Sequence, residues 1–95
     1  MQIQETRINI PIELSEEIEL LFSRYNGYLA ILEYLAQAGS LDEKNKFFDK
    51  KWDEAVEIYM KLEAKKAVAN NTYCPGSNFK NYRFDFINHQ MVYTE

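Results

Sequence analysis

The sequence predicts an α+β fold in which a long antiparallel helical hairpin carries a small three-stranded antiparallel sheet. Two long segments, 12–38 and 41–70, show the heptad spacing of packed helices. A strand-like alternation precedes them at 1–10, and an alternating segment with a turn signal follows them at 79–94. The 95 residues, 46% hydrophobic and 27% charged, have the size and composition of a single globular domain.

The first strand and the first helix are separated by a proline. Thr6, Ile8 and Ile10 fall on one side of the N-terminal alternation, as in a half-buried strand. Pro11 ends this strand and is acceptable in the first turn of a helix. The apolar stripe that follows, in steps of four and three, is Leu14, Ile18, Leu21, Tyr25, Tyr28, Leu32 and Leu35. This spacing predicts a helix that packs against other helices.

A two-residue turn is expected between the helices. Gly39 suits a left-handed helix cap, and Ser40 with Glu43 matches the S-x-x-E capping box at the start of the next helix. So short a turn makes the two helices antiparallel. The stripe of the second helix is Phe48, Trp52, Ala55, Tyr59, Leu62, Lys66 and Ala69. Asn70-Asn71 is expected to end this helix.

The C-terminal segment predicts a β-hairpin with one apolar face. A two-residue turn at Asn88-His89 sets Phe86 opposite Met91. An isolated hairpin is marginally stable in water, so the N-terminal strand is expected to complete the sheet. The strand order stays open, and either the N-terminal strand or the C-terminal strand 90–93 can be a free edge that accepts an extended peptide.

Gly27 lies in the middle of the first helix, where glycine costs about 1 kcal/mol relative to alanine. In a hairpin that turns near residues 39–40, position 27 lies level with position 52. We therefore expect the indole of Trp52 to fill the space above Gly27. The alternative is that Gly27 allows the backbone of a partner to approach closely.

Charge and cysteine content exclude several function classes. The net charge is −4, and the lysines of the second half are matched by Asp and Glu, so no nucleic acid is expected as a partner. No apolar run approaches the roughly 18 residues that cross a bilayer, and no signal segment is recognised, so no membrane partner is expected. Cys74 has no second cysteine to pair with, which fits a cytoplasmic protein.

No catalytic residue, metal site or cofactor is expected. Cys74 and His89 are the only residues of their types and fall in different predicted elements, so a Cys–His nucleophile pair has little support. Zinc needs three or four clustered ligands, and three glycines form no phosphate-binding loop. The carboxylates lie where a solvated helix face would place them. The chain is therefore not expected to be an enzyme.

Aromatic residues are the best candidates for a binding surface. They make up 15% of the chain, and seven are tyrosines, whose rings can be buried while their hydroxyls stay hydrated. The candidate partner-binding residues are Thr6, Ile8, Tyr25, Tyr28, Trp52, Tyr59 and Tyr93. The alternative, that the aromatics only pack at the margin of a thin core, stays open.

Several segments together carry a resemblance that spans most of the chain. They are 7–11 leading into a Glu-rich helix, 25–28 with Ile31, Leu32, Tyr34 and Leu35, Lys51-Trp52 with Tyr59 and Glu63, and 84–87 with Val92-Tyr93. In these segments the chain resembles small accessory proteins paired with radical SAM enzymes that modify ribosomal peptides, including the splicease type. Small proteins of phages and mobile elements share much of this pattern.

The resemblance implies a non-catalytic accessory subunit that binds a larger peptide-modifying enzyme. A further expectation is that the subunit also binds the peptide substrate of that enzyme. The iron–sulfur cluster and S-adenosylmethionine would then belong to the partner. The alternative function is a self-assembling structural or regulatory protein of a phage or mobile element, because heptad spacing on both helices allows two hairpins to pair.

Overall fold

The computed structural model describes residues 4–37, 46–76, 79 and 81–95. Its elements in chain order are β1 (Glu5–Asn9), α1 (Ile12–Gln37), α2 (Lys46–Tyr73), β2 (Asn81–Asp85) and β3 (Gln90–Thr94). The fold class is α+β, with a helical hairpin and a three-stranded antiparallel sheet, as the sequence predicts.

A proline explains where α1 begins, and another explains where α2 ends. Helix α1 begins directly after Pro11, and the backbone N–H of Ser15 donates to the carbonyl of Pro11 at 3.0 Å. Helix α2 continues to Tyr73, so the expectation that Asn70-Asn71 ends it is wrong. It ends instead before Pro75, because proline disfavours the helical conformation of the residue preceding it.

The predicted turn between the helices lies outside the described residues. This applies to the Gly39 cap, to the box formed by Ser40 and Glu43, and to the predicted helix start at 41. The described part of α2 begins at Lys46.

The strand order of the sheet is β1-β3-β2. The C-terminal strand is therefore central, and the expectation that it could be a free edge is wrong, whereas β1 is an edge strand. Phe84 pairs with Met91, so the predicted pairing of Phe86 with Met91 is displaced by two residues. A shift of two residues keeps every side chain on its predicted face, because side chains alternate with a period of two.

The connection between β2 and β3 is longer than predicted because Asp85 organises it. The Asp85 carboxylate accepts hydrogen bonds from the backbone N–H groups of Ile87 and Asn88, both at 3.1 Å, and from the Asn88 side chain at 2.8 Å. His89 adopts a left-handed conformation with φ of 54°. Four residues, 86–89, therefore lie between the strands, where a tight two-residue turn is predicted.

The chain forms two compact units. One consists of Met1–Glu19 with Lys65–Glu95 and holds the sheet. Among its described residues, the buried side chains are Ile10, Ser15, Ile18, Ala69, Met91, Val92 and Tyr93. The other unit, Leu20–Ala64, consists of the remaining parts of α1 and α2, and its buried side chains are Leu21, Leu32, Ala55 and Leu62.

Candidate partner-binding surface

An apolar groove runs between the two helices of the unit formed by residues 20–64. We call it the aromatic groove, and its lining is Tyr25, Leu29 and Leu32 from α1 with Trp52, Ala55, Val56 and Tyr59 from α2. Its volume is about 120 Å³. Both sets follow helical steps of three and four residues, so each presents one continuous ridge of its helix to the groove.

Four large apolar side chains of the aromatic groove are exposed to solvent. The exposed fractions are 41% for Leu29, 42% for Val56, 45% for Tyr59 and 54% for Trp52. Single exposed apolar residues are normal on a protein surface, but a contiguous group in a concave site is typical of an interaction surface.

The aromatic groove is held in shape by packed rings and a buried floor. The Tyr25 and Tyr59 rings lie 5.3 Å apart across the two helices. Phe48 stacks on Trp52 at 6.2 Å with an interplanar angle of 21°. Leu32, 6% exposed, lies in the floor, so the groove exists before any partner binds.

A second face of the same two helices, which we call the polar side, carries charged side chains among apolar ones. A shallow pocket there is lined by Arg24, Gly27, Tyr28 and Lys51 together with Ile31 and Ile58. Lys51 forms an ion pair with Glu54 at 3.2 Å and lies 5.8 Å from the centre of the Tyr28 ring.

Two ionisable groups on this polar side, Tyr28 and Glu54, shift each other's pKa. A hydrogen bond to the Glu54 carboxylate raises the pKa of Tyr28. The hydrogen bond from Lys51, followed by that from Tyr28, lowers the pKa of Glu54. Each group therefore stabilises the other in its normal ionisation state, neutral tyrosine and charged carboxylate.

The predicted contact between Gly27 and Trp52 is wrong. Apart from the adjacent residues and the local helix backbone, no atom lies within 4 Å of the position that a Gly27 Cβ would occupy, so the space above this glycine is open. Gly27 lines the polar side of the helices, whereas Trp52 lines the aromatic groove. Because the Tyr25 and Tyr59 rings pack together, antiparallel pairing sets Gly27 about level with position 57, which is five residues away from Trp52.

The structure brings together three of the seven predicted partner-binding residues. Tyr25, Trp52 and Tyr59 all line the aromatic groove. Tyr28 lies on the polar side of the same unit.

The other three predicted residues belong to the sheet. Thr6 and Ile8 are half-buried in the edge strand β1. Tyr93 is only 1% exposed, and its hydroxyl donates to the Asn70 side-chain oxygen at 3.1 Å. Burial raises the pKa of Tyr93 to about 12. Tyr93 is thus a core residue, which corrects its prediction as a surface residue.

Sequence reasoning missed Leu29 and Val56 as groove residues. Leu29 follows Tyr25 by four positions, and Val56 lies four positions after Trp52 and three before Tyr59. These steps were the signal, because residues three or four apart are neighbours on a helix surface.

One Ser–His contact is present among the described residues. His89 Nδ1 lies 3.0 Å from Ser15 Oγ, and Ser15 is buried at 1% exposure. The pair links the turn before β3 to the first turns of α1. In residues 4–37, 46–76, 79 and 81–95 no three His, Cys, Asp or Glu side chains are grouped as metal ligands.

The described helices contain no stretch that is both long and apolar enough to span a bilayer. In comparisons with known proteins, no family model, characterised protein or solved structure matches the chain.

Proposed function

We propose that the protein is a non-catalytic accessory subunit that binds a larger partner protein through the aromatic groove. The observation that carries this proposal is the group of four large apolar side chains, each 41–54% exposed, in one groove of the helical unit. Burying such a surface is favourable by about 25 cal/mol per Å² of apolar area, which makes it a ready source of binding energy.

The resemblance described above supports a peptide-modifying radical SAM enzyme as the partner. The accessory chain would then supply binding energy and positioning, while the enzyme supplies the iron–sulfur cluster and S-adenosylmethionine. The exposed, unpaired thiol of Cys74 is compatible with a reducing compartment, so the proposal places the complex in the cytoplasm.

Co-expression with the enzyme encoded by the neighbouring gene tests this function. We expect the two chains to co-purify, and the double variant Leu29→Glu, Val56→Glu to lose the enzyme because charges would replace two groove side chains. Ile87→Glu is the matched control, since Ile87 is 89% exposed and lies in the turn of the sheet. Absence of co-purification, or equal loss in both variants, would contradict the proposal.

The second candidate function is self-assembly, in which a second copy covers the same aromatic groove. The observation that favours it is the heptad spacing of the apolar residues on α1, which four-helix assemblies use. A dimer that becomes monomeric in the Leu29→Glu, Val56→Glu variant would support self-assembly over the accessory function.

A further inference from the structure

The rim of the aromatic groove carries charge of one sign. Residues three or four positions away from Leu29, Trp52, Val56 and Tyr59 are their neighbours on the helix surface. Every charged residue at those positions is acidic, and they are Glu33, Asp49, Asp53 and Glu63. Glu33, Asp49 and Asp53 are exposed. The groove is thus an apolar strip bordered by carboxylates.

The nearby basic residues are not among these ridge neighbours. Lys50, which is exposed, lies two positions from Trp52 and six from Val56. Arg24 and Lys51 line the pocket on the polar side of the helices. Lys61 pairs with Glu57 at 3.3 Å within α2. The exposed carboxylates of Glu33, Asp49 and Asp53 therefore give this border a negative charge that a ligand of opposite charge can meet.

The backbone of the groove walls restricts the kind of ligand. Both walls are α-helices, whose N–H and C=O groups are bonded within each helix. An extended peptide lying here would find no backbone partner for its own polar groups, whereas a helix satisfies them internally. Trp52 and Tyr59 are seven residues apart, about 10 Å along α2, which matches two turns of a bound helix.

From these observations we propose that the occupant of the aromatic groove is an amphipathic helix of the partner protein, with an apolar stripe flanked by Lys or Arg. This inference rests on the proposed function and specifies its ligand. The apolar stripe fills the groove, and the basic flanks pair with Glu33, Asp49 and Asp53. A second copy of this chain fits less well, because it would bring a second acidic rim against the first.

Trp52 provides the signal for a direct test, because it is the only tryptophan and lies in the groove. The probes are two synthetic helical peptides without tryptophan that share one Leu stripe and carry either Lys or Glu flanks. We expect the Lys-flanked peptide to shift Trp52 emission to the blue and to bind at least about tenfold tighter than the Glu-flanked peptide at low salt. The difference shrinks at about 0.5 M NaCl, where charges are screened.

A charge-reversed chain with Glu33→Lys, Asp49→Lys and Asp53→Lys is the matched variant, since all three side chains are exposed. We expect it to keep its helix content by circular dichroism and to prefer the Glu-flanked peptide. Val56→Glu should abolish binding of both peptides.

Equal binding of the two peptides, binding of neither, or an unchanged preference in the charge-reversed chain would overturn the inference. A wild-type dimer that Val56→Glu dissociates would overturn it in favour of a second copy. If the partner still co-purifies while the peptides show no charge preference, only the basic helix is refuted and the accessory function stands. If the enzyme does not co-purify but the peptides show a clear charge preference, the proposed partner enzyme is refuted. The aromatic groove then remains a binding site for a basic helix.

Discussion

At the scale of single residues, Gly27 is a position that the fold does not require to be glycine. A Cβ at this position meets nothing within 4 Å. We expect Gly27→Ala to raise the free energy of unfolding by about 0.8–1 kcal/mol, because alanine is the better helix former. Urea unfolding followed by circular dichroism measures this change. Ala30→Gly, an exposed position in the same helix, should lower stability by a similar amount, and a loss of stability in Gly27→Ala would contradict the open space.

Tyr93 contributes to the unit that holds the sheet through its hydroxyl as well as its ring. Tyr93→Phe removes the hydrogen bond to Asn70, and we expect a loss of about 1 kcal/mol in unfolding free energy. Tyr82→Phe is the control, because the Tyr82 ring lies 5.8 Å from Tyr93 but its hydroxyl makes no hydrogen bond within the described residues. Equal effects of the two substitutions on denaturant midpoints would assign no role to the hydroxyl.

At the scale of elements, the turn between β2 and β3 depends on an ionised Asp85. Hydrogen bonds from Asn88, and a further one from Arg7, lower the pKa of Asp85 to about 2. A lowered pKa in the folded state means that the stabilisation is present above the ordinary Asp pKa near 3.8 and is lost as the pH falls through about 2. We expect Asp85→Asn to lower the melting temperature at pH 7, and the difference from wild type to shrink between about pH 4 and pH 2.

Thermal melts followed by circular dichroism at several pH values check the Asp85 prediction. Asp53→Asn is the matched control, since Asp53 is an exposed carboxylate on a helix. A difference between wild type and Asp85→Asn that does not change with pH would contradict the role of the charge.

Strand β1 offers backbone groups to a peptide only at alternate residues. Ile10 N–H donates to the His89 carbonyl, and Glu95 N–H donates to the Gln4 carbonyl. Antiparallel pairs alternate between bonded and unbonded types, so Thr6 also faces β3 and the backbone of Arg7 faces outward. A proline at Thr6, the substitution that strand addition first suggests, would therefore break the sheet itself rather than block its edge.

Arg7→Pro is the better test of strand addition to β1. Proline removes one outward N–H and leaves the bonds to β3 in place. If a substrate peptide adds to this edge, we expect Arg7→Pro to weaken its binding much more than Arg7→Ala does, in a fluorescence anisotropy titration. Arg7→Ala is needed as the control because the Arg7 side chain also pairs with Asp85 at 2.9 Å. Equal affinities of the two variants would exclude the β1 edge.

At the scale of the whole molecule, we expect the isolated chain to stay monomeric at low salt and micromolar concentration. Its net charge is −4, and the aromatic groove has an acidic rim, so two copies repel each other where they would associate. Self-association should increase with added NaCl, because salt screens the carboxylates while the apolar side chains remain exposed. Sedimentation velocity at low and high salt measures this, and a tight dimer at low salt would favour the self-assembly function.

The fold class and the faces of the elements could be predicted from periodicity, whereas the relations between elements could not. Pro11 and the apolar stripe located α1, because local sequence determines where a helix begins and which face is apolar. The β2–β3 register differs from the predicted one by two residues, because the Asp85 side chain stabilises a longer turn. A pattern of apolar residues does not indicate such a turn. The strand order depends on long-range pairing, which the local pattern of each strand does not determine.

The candidate site was predictable only in part for a similar reason. Tyr25, Trp52 and Tyr59 were found by residue type, since exposed aromatics are typical of interfaces. Tyr93 was misplaced, because residue type does not distinguish a tyrosine with an internal hydrogen-bond partner from one at the surface. The predicted contact of Gly27 with Trp52 assumes a turn near residues 39–40, whereas the packing of Tyr25 on Tyr59 sets a different register between the two helices.

The central position of β3 has a consequence for how the chain folds during its synthesis. Among the strands that the structure describes, β1 and β2 each pair with β3, although β3 is the last of the three to leave the ribosome. Helical turns can form while translation continues, but β1 must wait more than 80 residues for its partner strand. Sheet formation is therefore a late event, and a nascent chain stalled before residue 90 would carry two strands with no partner.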